Sequence, residues 1–422
     1  MNINIYIFLP SLIKFPLSFF LLCFFQMIKL FLITIVSFRI LYILYFKFKY
    51  KFWSRQPVFH TYNLWYWINP PGIIEQIIPK IDKFYDHTII TQKEDNLTLN
   101  QKSDIHKLIF FNYLQENDIQ YKPTKKSIFN YLQNHDSPSY ISMYYKDFPI
   151  FDITNQINIV SKKLIAAITS RPLYCFLNSK QLPLNYVDFL CVNKEKRKKG
   201  VAPKIIYTHT TQLRKNSKSV VFLFKRENDI SLPIVPLSTY YTYGFDTKYW
   251  KYSSKPISEF NHFKLNSQNI DNFYHIIEKI KKQFKCTVYP ALSNLNTLIK
   301  NDLITIYMLL KKNDPIACYV FRKPFTTYKR DGKIGNSMDL ICSFFDRSIN
   351  PEIFVYYFYF STFIIQKNKQ FKYFIIENIS DNNIIIQNIF KKFFPIIKSP
   401  TAYFFYNFAY RPILPHNLFV LN

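Results

Sequence analysis

The sequence predicts an α/β (α+β) protein of two tandem halves with mixed, mainly antiparallel sheets, plus an N-terminal apolar segment. Three observations predict it. Apolar residues make up 49% of 422 residues, enough for ordinary cores in a chain longer than one core usually serves. Helical and strand periodicities alternate from residue 105 to the end. Their order (helices, antiparallel strands, then strand–helix–strand) occurs twice. The halves are placed at 50–255 and 256–422, behind the segment 1–49.

The first segment is apolar from residue 15 to 46, interrupted by Lys29 and Arg39. Either 15–38 or 30–46 approaches the roughly 20 residues that cross a bilayer. A central charge costs about 2.5–3.5 kcal/mol on insertion scales, which the many Phe, Leu and Ile offset. No charge precedes Lys14, whereas Lys47, Lys49, Lys51 and Arg55 follow. The positive-inside rule therefore places everything after residue 47 in the cytosol. A cleaved signal peptide fits poorly, for want of a basic n-region and a small-residue cleavage site. Two readings stay open: a membrane anchor on a cytoplasmic protein, or translated AT-rich flanking sequence with Met27 as the start.

After it, Pro57, Pro70, Pro71 and Gly72 mark a loop-rich arm. Apolar spacing predicts helices at 105–116 and 125–134 and short strands over 141–160. Two strands broken near Pro172 are expected over 162–177, a β-run at 185–193, a helix at 201–215 and a strand at 219–226. The second series has helices at 268–284 and 290–300 and a strand pair at 304–310 and 315–323. A strand at 339–346, a long helix at 351–369 and a strand at 371–379 follow. A helix at 384–394 and a strand at 402–410 close it.

Lys and Arg number 55 against 27 Asp and Glu, a net charge of +28. Such an excess suits a polyanionic partner: nucleic acid, anionic lipid or a phosphorylated cofactor. The abundance of Phe, Tyr, Ile, Asn and Lys beside only five Gly is also what AT-rich coding DNA yields. No RNA- or DNA-binding signature is present, so a nucleic-acid partner is not expected. The six cysteines form no C-x-x-C pair and no zinc spacing, which predicts reduced, mostly buried thiols and no structural metal.

The informative stretch is VDFLCVNKEKRKKGVAPKII, Val187 to Ile206. A β-run ends at Val192, a basic loop follows, and Gly200 opens a helix with Pro203 in its first turn. Unpaired N–H groups and the dipole of a helix start favour an anion there. Arg197, Lys198 and Lys199 supply further positive charge. Coenzyme A, with its pyrophosphate and 3′-phosphate, matches both features. Arg197, Gly200 and Ala202 form R-x-x-G-x-A, which resembles the acyl-CoA motif of GNAT acyltransferases.

The longer string FLCVNKEKRKKGVAP resembles a segment of the N-myristoyltransferase family. There F-L-C-V-H precedes a basic loop and V/L-A-P. Phe189, Leu190, Cys191, Val192, Lys194, Arg197, Lys199, Val201, Ala202 and Pro203 match; Asn193 replaces His and Gly200 a basic residue. KFWSRQPV, Lys51 to Val58, resembles the family's K-F-W-x-x-Q-P-V. YFFYNFAY with the closing LFVLN resembles its C-terminal Y-Y-L-Y-N-W and short apolar tail. The resemblance implies two GNAT-like halves, the first binding acyl-CoA and the second facing a peptide. It implies acyl-CoA, first of all myristoyl-CoA, as co-substrate without a prosthetic group, and N-terminal glycine peptides as partners.

The resemblance also implies the site. Tyr50, Lys51, Phe52 and Trp53 lie against the CoA, together with Cys191, Val192, Arg197, Lys198, Lys199, Gly200, Val201, Ala202 and Pro203. The N–H groups of Phe189 and Leu190 form an oxyanion hole, a role that suits a strand splaying open. The main-chain carboxylate of Asn422 is the base for the glycine amine, so its side chain should matter little.

Departures fall mostly on the family's peptide-binding side. The acidic V-E-D-D-D turn reads Leu114-Gln-Glu116-Asn-Asp118, and the R-Y-W-H-R box reads Tyr240-Tyr-Thr-Tyr-Gly244. The F-N-A-L-D strand reads Phe374-Ile-Ile-Glu-Asn378, and the G-D-G turn Lys398-Ser-Pro400. Two alternatives remain: a non-catalytic acyl-CoA-binding protein, and a transferase acting on another amine.

Overall fold

A computed structural model describes residues 17–78, 81–116, 118–152, 157–217, 219–250, 255–330, 332–368 and 370–422; positions 15 and 16 of the apolar segment lie outside them. Helix α1 spans Leu17–Lys49 in 33 residues, and every residue from Leu21 to Leu41 faces outward. Its length and composition suffice to cross a membrane. A short helix, α2 (Leu64–Ile68), follows in the arm.

The first half is a sheet with helices on both faces. Strand 89–93 pairs antiparallel with 140–152, and that strand with 157–177. Asn178 and Ser179, with φ of 48° and 63°, turn the chain tightly into strand 180–187. Helix α5 (Val201–Asn216) then carries it across to strand 221–227, parallel to 180–187. Helices α3 (Leu99–Asn112) and α4 (Lys125–Phe129) bury Ile105, Leu108, Ile109 and Phe129 against Ile141, Met143 and Ala167. Val201 and Ile205 of α5 meet Tyr144, Ala166 and Ile168 on the opposite face. The alternation of Met143 with Tyr144 and of Ala167 with Ile168 is the period of two that divides a strand between two faces.

The second half repeats this plan. Ile304, Ile306 and Met308 of strand 304–311 face α6 (Asp271–Gln283) and α7 (Leu292–Lys300). Tyr307 and Leu309 face α8 (Pro351–Asn368) and α9 (Asn382–Phe390). Side chains of this size contribute about 1.5–3 kcal/mol each when fully buried.

The halves share strands. Strand 397–406 lies between 221–227 and 238–246. Strand 286–289 joins 157–177 to the closing strand 418–420. Strand 238–246, counted in the first half from sequence, pairs with 373–377 and 397–406, both in the second.

Pro172 does not break a strand: 157–177 is continuous, and Pro172 faces Asn185 in the hairpin. On the other edge the partner changes there, from 140–152, ending at Ser170, to 286–289, beginning at Tyr174. A proline without N–H fits that gap. The hairpin 326–330/333–345 extends the strand expected at 339–346.

Candidate functional site

The site begins with a fault in pairing. Strand 157–177 pairs Ser170 with Val187 and then Ala167 with Cys191. Asp188, Phe189 and Leu190 thus oppose two residues, Ile168 and Thr169: a β-bulge. The Asp188 N–H donates to the Thr169 carbonyl at 3.0 Å, and the Phe189 N–H to the Thr169 hydroxyl at 3.3 Å. No partner among the described residues accepts from the Leu190 N–H. The bulge therefore offers one free N–H and one loosely held, rather than the two free groups expected.

Beneath it, His209 of α5 bridges Ser142 (2.8 Å) and Ser170 (2.9 Å). Burial pushes its imidazole down to about 3, so it is a neutral link between two strands. Arg171, 1% exposed, donates to Asp188 at 2.7 Å. Burial drives the Asp188 carboxyl upward, against the pull of Arg171.

From Cys191 the chain runs through the basic loop to Gly200, whose φ of 72° is left-handed. A Cβ there would meet nothing within 4 Å, so the backbone conformation, not crowding, calls for glycine. No side chain caps the start of α5, and its first turn carries no acid. A cleft of about 560 Å³ opens here. It is lined by Tyr113, Leu190, Cys191, Val192, Lys196, Arg197, Lys198, Gly200, Val201, Ala202 and Pro203, with Leu114–Glu116 at one side. Burial pushes the Cys191 thiol up to about 12, leaving it an uncharged wall.

The expected residues divide. Leu190, Cys191, Val192, Arg197, Lys198, Gly200, Val201, Ala202 and Pro203 come together around the cleft. Arg197 is partly committed elsewhere: its Nε donates to the Val192 carbonyl at 3.3 Å and its Nη2 to the Asn112 carbonyl at 2.5 Å, capping the end of α3. Lys199 is exposed and lies outside the lining. The ring of Phe189 packs on Tyr113 and Tyr121. Tyr50, Lys51, Phe52 and Trp53 do not line the cleft either. Trp53 stacks on Phe224 at 6.0 Å, Phe52 packs on Phe84, and Lys51 lies over Phe48.

The chain end arrives from the other side. Leu418, Phe419, Val420 and Leu421 are fully buried, and Asn422 is 5% exposed. The Asn422 Nδ2 donates to the Tyr186 hydroxyl at 2.5 Å, two residues ahead of the bulge. The side chain expected to matter little thus anchors the last residue of a terminus that strand pairing already holds as far as Leu421.

Beyond Tyr186 lies a charged network that sequence reading missed. Lys225 bonds Glu227 at 2.6 Å and Glu377 at 2.9 Å; Tyr240 donates to Glu377 at 2.6 Å; Arg322 reaches Asp339 at 3.1 Å and Glu377 at 3.6 Å. Burial raises Asp339 to about 6 despite Arg322, whereas Lys225 holds Glu227 below its ordinary value. A charge inside an apolar strand, such as Arg171 or Glu377, was the available signal. Asn112, which accepts from the Lys194 N–H at 2.9 Å, gave none. Of the weak acidic turn, Glu116 and Asp118 line a shallow cleft with Gln120, Lys194 and Lys329; Asn117 lies outside the described residues.

Comparison with known proteins points one way. Residues 82–222, which hold the bulge and α5, match the family described as "Myristoyl-CoA:protein N-myristoyltransferase, N-terminal domain". Two glycylpeptide N-tetradecanoyltransferases of Plasmodium falciparum are each 26% identical over 187 residues, 40% of this chain and 40% of their own length. The match thus spans under half the length of these curated relatives. The fold is that of Saccharomyces cerevisiae N-myristoyltransferase solved with bound myristoyl-CoA. One such structure has a TM-score of 0.66 at 16% identity, covering 88% of this chain and 99% of that one. Another has a TM-score of 0.65 at 16% identity, covering 88% and 94%. A family match that includes the bulge and α5, with the fold of yeast N-myristoyltransferase around it, makes this chain similar to the N-myristoyltransferases in its first half and in its overall fold.

Proposed function

We propose that the chain transfers a fatty acyl group, myristoyl in the first place, from acyl-CoA to the N-terminal glycine amine of a protein. The observation that carries this reading is the juxtaposition of three parts: the bulge at Asp188–Leu190, the uncapped start of α5 and the chain end at Tyr186. The phosphates of CoA lie at the start of α5 beside Lys196 and Lys198. The thioester carbonyl points at the Leu190 and Phe189 N–H groups, which hold the oxyanion; such donors are worth a few kcal/mol each.

The main-chain carboxylate of Asn422 takes a proton from the glycine ammonium. The freed amine attacks the thioester carbon, a C–N bond forms, the C–S bond breaks and CoA leaves as a thiolate that takes up a proton. The Asp188 carboxylate is engaged by Arg171 at 2.7 Å and is assigned to holding the bulge rather than to the proton transfer. The same reading assigns α1 to a bilayer, with the chain after residue 47 in the cytosol.

Extending the chain beyond Asn422 converts its carboxylate to an amide. The extended protein is expected to bind myristoyl-CoA in calorimetry yet lose transfer to a glycine-start peptide by about 100-fold, the scale of general-base loss. Full transfer by a stable extended protein contradicts the assigned base, and absent acyl-CoA binding by the unextended chain contradicts the cleft. Binding with no transfer by either form selects a non-catalytic acyl-CoA-binding protein.

A further inference from the structure

Helix α2 reads LWYWI and carries no charge. Leu64, Trp65, Trp67 and Ile68 are all exposed, Trp65 by 63%. Four large apolar side chains in five residues on the outside of a protein mark a contact surface. Its place in the fold indicates with what.

Thr61 ties α2 to the apolar helix. The Thr61 and Tyr42 hydroxyls share a hydrogen bond of 2.9 Å, and the Thr61 carbonyl accepts from the Trp67 indole at 3.4 Å. Phe46, 1% exposed, fixes the same junction with its ring 4.8 Å from Tyr62 and 5.5 Å from His60. Phe59 packs on Tyr66 and Trp67 from behind. The end of α1 is thus docked on the arm that presents α2, not joined to it by a free linker.

Depth follows from helix geometry. The outward-facing run Leu21–Leu41 spans about 30 Å at 1.5 Å per residue, the thickness of a hydrocarbon core. Tyr42 then stands at the hydrocarbon boundary, and Trp67 is one residue's contact away from it. Tryptophan and tyrosine are favoured at that level. Lys47, Lys49 and Lys51, all exposed, come next along the chain and complement anionic headgroups.

Resting on the assignment of α1 to a bilayer, we propose that α2 is a second contact with the same membrane. Its Leu64, Trp65, Trp67 and Ile68 enter the anionic lipid interface and hold the body in one orientation on the surface.

The test uses the full chain reconstituted in phosphatidylcholine–phosphatidylserine vesicles with brominated acyl chains, which quench nearby indoles. Of the four tryptophans, Trp250 is buried and Trp53 is stacked on Phe224. About half the emission is therefore expected to be quenched, Trp65 and Trp67 being those at the interface. W65F should remove about half of that quenching and W65F/W67F most of it, with the chain still resistant to carbonate extraction. Unquenched emission, or quenching that survives W65F/W67F, in a carbonate-resistant chain overturns the α2 contact and leaves the anchor standing. Release by carbonate overturns the anchor and the contact with it.

Discussion

Asn422 and Tyr186 show how much of the site rests on single polar contacts. Asn422→Leu leaves the buried Tyr186 hydroxyl without a partner, a loss of about 1–3 kcal/mol in stability. Because the same amide anchors the last residue beyond the paired strand, transfer is expected to fall more than acyl-CoA affinity; equal losses in both would contradict a positioning role. Arg197 and Lys198 separate similarly. Arg197→Ala removes the guanidinium from two backbone carbonyls and should lower the unfolding free energy by about 1–3 kcal/mol. Lys198→Glu, at an exposed residue of the cleft wall, should weaken acyl-CoA binding in calorimetry while leaving the thermal midpoint in place. Affinity unchanged by Lys198→Glu would remove Lys198 from the phosphate site.

At the scale of elements, the site is where a strand fails to continue and a helix starts without a cap. Gly200→Val puts a β-branched residue at a φ of 72°. The left-handed region costs an ordinary residue about 1–2 kcal/mol, and a β-branched one more. The expected result is a shifted loop and weaker acyl-CoA binding, whereas Gly200→Asn, which tolerates that region, should keep both. Identical behaviour of the two variants would show that the left-handed turn is not what matters.

The strand–loop–helix unit was legible because β-run, basic loop, glycine and helical spacing follow one another within 30 residues. Helices α6 to α8 were legible for the same local reason. The bulge was not, since a register shift depends on the partner strand: FLC reads as an unbroken β-run, and only pairing to Ala167 and Ser170 exposes the extra residue. Strands 286–289 and 418–420 gain their identity from each other and from 157–177, across more than 100 residues. The KFW arm shows the opposite case. Its local motif was plain, but Trp53 lies on Phe224 rather than on the cleft.

At the scale of the whole molecule, the two halves are welded through shared strands, so a charge buried at their junction bears on the entire fold. His209, His135 and His262 are held neutral by burial, at about 3, 4 and 4. Their free imidazoles titrate near 6.5, so the unfolded chain binds more protons between pH 6.5 and about 4, and stability falls as pH drops through that window. Asp339, raised to about 6, acts in the opposite sense: it favours the folded chain below pH 6 and loses that advantage as pH rises. His209→Gln should therefore flatten the acid side of a urea-unfolding profile between pH 6.5 and 4. An unchanged slope would mean that His209 is charged in the fold.

On the proposed function, the cleft at Gly200 and the chain end at Asn422 serve one reaction. Mass spectrometry of a glycine-start peptide incubated with the full chain and myristoyl-CoA tests it most directly. The expected product is a peptide carrying one myristoyl group in amide linkage on the glycine nitrogen, with one free CoA thiol released per peptide. Bound myristoyl-CoA and an unmodified peptide, or an acyl group on a lysine side chain instead, would contradict it.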